Sequence, residues 1–275
     1  MTTTASDLPF ELIQEILTIS AESSLKQAAT LSRVSRSVYE LTKPVLFRTF
    51  VYWDDETVLP GETDTEWLNS YGKYARDLLW GTDSLRIVPV LKCCPNVTNI
   101  AIWIDPENAD FPLLLELLSQ HRPHRLSIDL NILFGGPFQE KHALLPMFIN
   151  MTHLEPISNN FPDWDLIEGI QHLPKLTHLA LLHTLNMNSV VQNALTQCKH
   201  LAFLVLSSLW GPRRYDPEAE IVFEGPRDFS IQGGDDPRVV FIRSYYVEEW
   251  HLSSKGGKGM WVLAEEVVNG RTGKL

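Results

Sequence analysis

The first fifty residues carry apolar side chains at helical spacing. The pattern predicts a first helix that begins near Asp7. Its apolar face carries residues at three- and four-residue intervals, namely Leu12, Ile13, Ile16, Leu17 and Ile19. The spacing then predicts a short second helix over residues 25–31 and a third helix that Pro44 ends, because proline removes a helical hydrogen bond. We therefore expect a small helical domain over residues 6–50.

A different pattern repeats from about residue 71 onward. Short strand-like phrases place apolar residues at positions i, i+3 and i+5, and apolar helical stretches separate the phrases. The middle residues of the phrases, about 25 residues apart, are Leu78, Ile100, Leu126, Leu154, Leu179 and Leu204. One strand and one helix per unit are typical of leucine-rich repeats, which stack so that a parallel sheet lines the concave side of a solenoid. The expected fold class is therefore α/β, with a short solenoid over residues 51–275.

The concave side of such a solenoid is a candidate surface for binding a target protein. Side chains alternate along a strand, so the residues between the apolar positions project from the concave face, which is apolar in the later repeats. The candidate target-binding residues are Trp103, Asp129, His178, Leu182, Phe203 and Val205. Residues 210–237 contain several prolines and glycines and predict a long insertion. An insertion that covers the concave face is the alternative, and the pattern alone leaves both possibilities open.

The chain closes with a stretch that suits an amphipathic helix. The residues on its apolar face are Met260, Leu263, Ala264 and Val267, with Trp261 at one edge. Because the last unit of a solenoid leaves an unpaired end, we expect this helix to cap it.

The junction between the helical domain and the solenoid has two interpretations. Residues 46–48 carry apolar side chains that can pack on both the third helix and the first repeat, which predicts one continuous body. The acidic segment 54–66 has turn residues and no apolar period, and a hinge at this segment is the alternative.

Composition and charge narrow the classes of partner. Asp and Glu number 34 against 23 Lys and Arg, which gives a formal net charge of -11. This balance argues against a nucleic-acid binder and against electrostatic docking on an anionic membrane. No apolar run approaches the ~20 residues that span a bilayer, and the first residues lack the pattern of a signal peptide. We expect a protein of the cytoplasm, the nucleus or both.

No motif indicates catalysis, a cofactor or a metal. The nine histidines are scattered along the sequence, and the adjacent Cys93 and Cys94 lack the spacing of a zinc-binding pair. The Lys- and Gly-rich residues 254–259 lack the Ser or Thr that follows the lysine of a phosphate-binding loop. We therefore expect no enzyme activity, no cofactor and no metal site.

Three N-terminal segments resemble the F-box motif. They are residues 8–17, which read Leu-Pro-Phe-Glu-Leu-Ile-Gln-Glu-Ile-Leu, together with residues 31–36 and 46–48. With the repeats that follow, the chain resembles the F-box and leucine-rich-repeat proteins of mushroom-forming fungi. It departs from them at residues 37–39, which lack a tryptophan often found there, and at residues 23–26, where the middle phrase of the motif is degenerate.

This resemblance implies a substrate-recognition subunit of an SCF-type cullin-RING ubiquitin ligase, with no catalysis of its own. The F-box would bind a Skp-family adaptor, which joins it to the cullin scaffold, and the repeats would bind an unidentified target protein. By motif position, the adaptor-binding residues are Leu8, Pro9, Ile13, Ile16, Leu17, Val34 and Val38. The alternatives are a leucine-rich-repeat interaction scaffold outside any ligase, and a helical domain in which these residues form only a core.

Overall fold

The computed structural model describes residues 8–52, 65–81, 87–103, 110–157, 163–182, 187–208, 222–224, 233–243, 250 and 258–273. The acidic residues 54–64 and most of the predicted insertion, residues 210–221 and 225–232, lie outside these ranges. Within them the fold is α/β, built on a nine-stranded sheet. None of the helices in this part of the chain combines the length and apolar character needed to cross a bilayer.

Three helices open the chain where the apolar spacing predicts them, namely α1 (Phe10–Glu22), α2 (Leu25–Leu31) and α3 (Arg36–Leu46). Serine side chains cap two of them. Ser24 accepts a hydrogen bond from the Gln27 backbone at 3.1 Å, and Ser35 accepts one from the Val38 backbone at 3.2 Å. The prediction that Pro44 ends the third helix is wrong, because α3 continues to Leu46. Pro44 has no N–H to donate within the helix, but the Phe47 N–H still donates to the Lys43 carbonyl at 3.0 Å, so helical geometry continues past the proline.

The strands of the sheet follow one another in space almost as they do in sequence. They are β1 (Thr49–Tyr52), β2 (Asp77–Trp80), β3 (Asn99–Ile102), β4 (Arg125–Ile128), β5 (His153–Pro156), β6 (His178–Leu182), β7 (Phe203–Ser208), β8 (Val222–Glu224) and β9 (Val239–Arg243). Their order is β1-β2-β3-β4-β5-β6-β7-β9-β8, with parallel pairing up to β9 and an antiparallel β8 at the edge. The middle residues of the predicted phrases occupy equivalent positions, as in the pairing of Leu78 with Ile100 and of Ile100 with Leu126.

Helices connect the strands. They are α4 (Thr65–Tyr71), α5 (Ile87–Cys93), α6 (Phe111–His121), α7 (Leu130–Phe134), α8 (Glu140–Ala143), α9 (Trp164–Ile167) and α10 (Asn188–Gln197). Short 3-10 turns cover Gly72–Tyr74, Pro146–Phe148 and Glu168–His172. The last helix described is α11 (Met260–Thr272). The start of α4 lies inside the segment 54–66, so the predicted acidic loop is shorter than expected at its end.

The main apolar core lies between the sheet and the helices α4–α10. The second residue of each strand from β1 to β7, such as Leu78 in β2, is buried there together with helical residues such as Leu91 and Leu114. We call this side of the sheet the helix-covered face. Because side chains alternate along a strand, the first and third residues of β1–β7 project from the other side, which we call the opposite face.

The opposite face carries the last helix, and this corrects the predicted end cap. Near β1–β3, Trp250 packs on Val51, Leu79 and Ala101. Near β6–β9, α11 packs across a second cluster, whose buried members are Ala180, Val205, Val240, Ile242, Met260, Trp261, Ala264 and Val268. The residues predicted for the apolar side of the helix all belong to this cluster, with Leu263 and Val267 partly buried. The apolar strand residues of this face give α11 a surface to bury, so the helix covers a face and not the end of the sheet.

Aromatic side chains join α3 to the first strand–helix unit. The ring of Phe47 lies 4.0 Å from that of Tyr71 and 6.0 Å from that of Trp67, measured between centroids. Phe50 lies 5.0 Å from Trp67, and the hydroxyls of Tyr39 and Tyr71 are 3.3 Å apart. Residues 46–48 therefore contact both the third helix and the first repeat, as their apolar character predicts.

Candidate functional site

Exposed apolar side chains concentrate on the three N-terminal helices. Among the described residues, ten large apolar side chains are exposed, and seven of them precede residue 35. These seven are Leu8, Phe10, Leu12, Ile16, Ile19, Leu25 and Val34, which we call the N-terminal apolar surface. Val34 is 68% exposed, Phe10 62% and Ile19 61%. A concentration of apolar side chains in water is typical of a protein interaction site.

The small size of the helical unit explains this exposure. In α1, which the structure describes completely, Ala21 is the buried residue, and in α2 it is Ala28. In α3 the buried residues are Val38 and Thr42. Three short helices enclose little volume, so small side chains fill the space between them and the larger apolar side chains stay outside.

The structure separates the predicted adaptor-binding residues into three groups. The exposed ones are Leu8, Pro9, Ile16 and Val34, and the half-buried ones are Ile13 and Leu17. Val38 is 9% exposed and belongs to the interior of the helical unit. The assignment of Val38 to a docking surface is therefore corrected, since its side chain packs among the three helices. Sequence reasoning left Phe10, Leu12, Ile19 and Leu25 out of the set, although they lie on the same exposed helices.

The predicted target-binding residues of the later repeats are covered. His178 and Val205 are buried, and Phe203 packs against the cluster under α11. Their assignment to an open binding face is wrong, because α11 occupies the space in front of them. Trp103, Asp129 and Leu182 remain half-buried.

Two of these half-buried residues have structural contacts of their own. The Asp129 carboxylate caps α7 by accepting hydrogen bonds from the backbone of Asn131 at 2.9 Å and of Ile132 at 3.0 Å. Burial raises the pKa of Asp129 above its usual range. The indole nitrogen of Trp103 donates to the Ser127 hydroxyl at 2.9 Å.

A histidine pair lies under α11. The rings of His153 and His178 stack with their centroids 3.9 Å apart, and Phe203 stacks on the other side of His178 at 4.3 Å. Trp261 of α11 contacts both imidazoles edge-on, at 5.1 Å and 5.6 Å. An oxygen of Glu265, one turn further along α11, lies 3.2 Å from Nε2 of His178. The fold therefore brings together two histidines that are far apart in the sequence.

Both histidines are neutral near neutral pH. Burial lowers the pKa of His153 to about 3, and the nearby His178 and Arg125 add to the effect. Burial also lowers the pKa of His178 to about 4.

Threonine hydroxyls fix the orientation of the two imidazoles. The Thr152 hydroxyl donates to the His124 carbonyl at 3.3 Å and lies 2.8 Å from Nδ1 of His153. The Thr177 hydroxyl donates to the Thr152 carbonyl at 3.3 Å and lies 2.7 Å from Nδ1 of His178. In the tautomer that carries its proton on Nδ1, each imidazole donates to its threonine. The Nε2 atoms then carry the lone pairs.

One signal in the sequence marks this pair. The dipeptide Thr-His occurs at residues 152–153 and again at 177–178, at the same position of two successive repeat phrases. Parallel pairing of β5 with β6 then places His153 beside His178.

Comparison with known proteins adds no assignment. No protein-family model matches the chain. No curated protein matches its sequence.

Proposed function

We propose that this protein is a substrate-recognition subunit of an SCF-type cullin-RING ubiquitin ligase. In this proposal α1–α3 form an F-box that binds a Skp-family adaptor and, through it, the cullin scaffold. The strand–helix units form a leucine-rich-repeat solenoid that binds an unidentified target protein. In this proposal the protein itself catalyses no reaction. Its role is to hold the target near the ubiquitin-loaded enzyme. It acts in the cytoplasm, the nucleus or both.

The observation that carries the proposal is the N-terminal apolar surface. Phe10, Ile16 and Ile19 extend from one helix into water, and Val34 extends from the turn before α3. Burial of apolar surface contributes about 25 cal/mol of binding free energy per Å². An adaptor that covers this surface is therefore stabilised by the apolar area it buries. The F-box resemblance of the same residues indicates which partner that is.

The exposed fractions refine the adaptor-binding set. Leu8, Pro9, Ile16 and Val34 make the direct contacts, and Ile13 and Leu17 contribute from their half-buried positions. Phe10, Leu12 and Ile19 extend the same surface. Val38 supports it from inside the helical unit.

Three features support the solenoid. Successive strands pair in parallel with the same register, one strand–helix unit is added after another, and equivalent apolar residues meet in one core. Units of this kind cannot bury their apolar faces alone and therefore stack.

The coverage by α11 and Trp250 moves the proposed target site. Trp103 and Leu182 lie where β3 and β6 end, and both keep part of their surface in solvent. We place the target contact at these carboxyl ends of the strands and not over His178, Phe203 and Val205. Asp129, which follows β4 and caps α7, lies at the same end of the strands.

The aromatic contacts at the junction support the geometry that a receptor needs. Phe47 packs on Tyr71, and the Arg48 guanidinium lies 3.2 Å from the Asp77 carboxylate. Through these contacts the helical domain holds a defined position on the first repeat. A target bound to the repeats then keeps a defined distance from the adaptor.

Recovery of partners from cell extract tests the proposal. The tagged full chain is captured from eukaryotic extract, and the Skp-family adaptor and the cullin are quantified by mass spectrometry. The proposal predicts that both are enriched over a control capture. Enrichment of the adaptor without cullin favours the interaction scaffold outside a ligase. Absence of both contradicts the F-box assignment.

A further inference from the structure

Three potential metal ligands meet where α11 crosses the sheet. His153 comes from β5, His178 from β6 and Glu265 from α11. One ligand atom from each residue can be chosen so that all three lie within 4.8 Å of one another. These residues are far apart in the sequence, and the fold brings them together.

The central ligand atom has no hydrogen-bond partner among the residues that the structure describes. His178 is 7% exposed, and its Nε2 is fully buried. The Glu265 oxygen lies 3.2 Å from this nitrogen, but the pair does not form a hydrogen bond. A buried ring nitrogen that makes no hydrogen bond is unfavourable. A cation that both atoms coordinate would resolve this contact.

The surroundings prepare both imidazoles as ligands. Nδ1 of each imidazole lies within 2.8 Å of the hydroxyl of the threonine before it, and the tautomer protonated on Nδ1 donates there and leaves the Nε2 lone pair for a metal. A hydrogen bond of this kind to the second ring nitrogen is the usual support of a metal-bound histidine, because it fixes the tautomer and the ring orientation.

We propose that His153, His178 and Glu265 bind a divalent transition-metal ion, with Zn²⁺ as the ion that suits them best. Two imidazole nitrogens and one carboxylate oxygen are donors that Zn²⁺ accepts. The ion fastens α11 to β5 and β6 and thereby holds the cover of the opposite face in place. A fourth coordination position remains for water or another ligand.

Metal binding requires the three ligand atoms to move closer together. Two ligands of one zinc lie no more than about 4.2 Å apart, since each bond is about 2.1 Å long. The rings of His153 and His178 are within 12° of parallel, so they tilt until both Nε2 atoms point at the ion. Arg125 is paired with His153 between β4 and β5, and its positive charge opposes a second cation. The Glu265 carboxylate offsets this charge.

Zinc binding to the full chain tests the site. The chain is stripped with a chelator and titrated with Zn²⁺ against a chromophoric chelator, and Co²⁺ is used as a spectroscopic probe. We expect one ion per chain and the strong visible absorption of four-coordinate Co²⁺. Loss of a supporting contact alone weakens metal sites about 10–100-fold, so Glu265→Gln weakens Zn²⁺ binding at least about tenfold.

Two matched controls separate this site from surface histidines. Glu266→Gln changes the neighbouring carboxylate, which pairs with Lys258 at 2.7 Å, and His200→Asn changes an exposed histidine. Both variants keep the affinity of the unaltered chain. Glu265 is 44% exposed, so Glu265→Gln folds even where His178→Asn does not. Absence of a stoichiometric ion, or equal affinities for Glu265→Gln and Glu266→Gln, overturns the proposal.

Discussion

His153 and His178 stack face to face because parallel register places them side by side on β5 and β6. The same register continues across the sheet, from His178 to Phe203 on one side and from His153 to Arg125 on the other. Trp261 of α11 packs edge-on against the stacked imidazoles of this row. The row explains how polar residues from successive repeats become the contact surface of the last helix.

Trp261 is predicted to be a main anchor of α11. It is 5% exposed and contacts both imidazoles. Trp261→Ala should lower the free energy of unfolding by about 3–5 kcal/mol, the usual loss for a buried Trp. The neighbouring Val262 is 45% exposed, and Val262→Ala should change the free energy by no more than about 0.5 kcal/mol. Urea unfolding of both variants measures the difference, and equal stabilities would show that α11 does not pack on the sheet as described.

The three cysteines should differ in reactivity. Burial raises the pKa of Cys94 to about 12 and of Cys198 to about 11, and both thiols lie in the apolar core. Cys93 is half-buried, and its thiol contacts the Asn69 side chain at 3.3 Å. Because the thiolate is the reactive form, a disulfide reagent at pH 8 should label Cys93 first. In the Cys93→Ser variant, Cys94 and Cys198 should be labelled only after denaturant is added. Fast labelling of native Cys93→Ser would contradict the burial of the other two.

Contacts across the junction should hold the two parts of the chain together after cleavage. A protease that cuts within residues 53–64 should give fragments that co-elute in gel filtration, because Phe47 and Phe50 pack on Trp67 and Tyr71. Phe47→Ala removes the central ring and should increase fragment release. Release of a free N-terminal fragment from the unaltered chain would instead favour a hinge.

His121 should make stability depend on pH. Burial lowers its pKa below the ordinary value, and its Nε2 lies 3.1 Å from the Leu91 carbonyl, to which it donates. A lowered folded-state pKa means that the unfolded chain binds the proton more readily. The contribution of neutral His121 is therefore present above the unfolded pKa near 6.5 and is lost as pH falls toward the folded value. Urea unfolding at pH 7 and pH 5 should show a smaller loss for His121→Gln than for the unaltered chain. Parallel losses would contradict the buried position.

The sequence predicts the local part of this fold well because local physics decides it. The i, i+3, i+5 phrases place Leu78, Ile100 and Leu126 at equivalent strand positions, and alternation assigns them to one side of the sheet. The first three helices follow from apolar spacing in the same way, and the structure adds the serine caps of α2 and α3.

The cover of the opposite face is not predictable by these means. Alternation shows which side chains share a face, but not which distant segment packs on it. The apolar character of Val205 therefore fits equally an open binding surface and a buried contact with α11. The histidine pair is missed for a related reason, because its residues come together only once the register of β5 and β6 is known.

The adaptor-binding residues were identified from a motif, and their solvent exposure shows which of them a partner can contact. Val38 of α3 matches the motif but is buried, whereas Leu12 and Ile16 of α1 are 45% and 54% exposed. Substitutions at Leu12 and Ile16 therefore test docking with little risk to the fold. The half-buried Ile13 and Leu17 would mix the two effects.

The affinity of the full chain for a purified Skp-family adaptor is the most direct test of the central claim. The unaltered chain should bind, and Leu12→Asp with Ile16→Asp should weaken binding by about two to three orders of magnitude, since each anchor contributes about 2 kcal/mol. The matched control is Leu144→Asp with Ile149→Asp, two exposed apolar residues far from the N-terminal helices in sequence, which should leave the affinity unchanged. No binding by the unaltered chain, or equal affinities for the two double variants, would contradict the account.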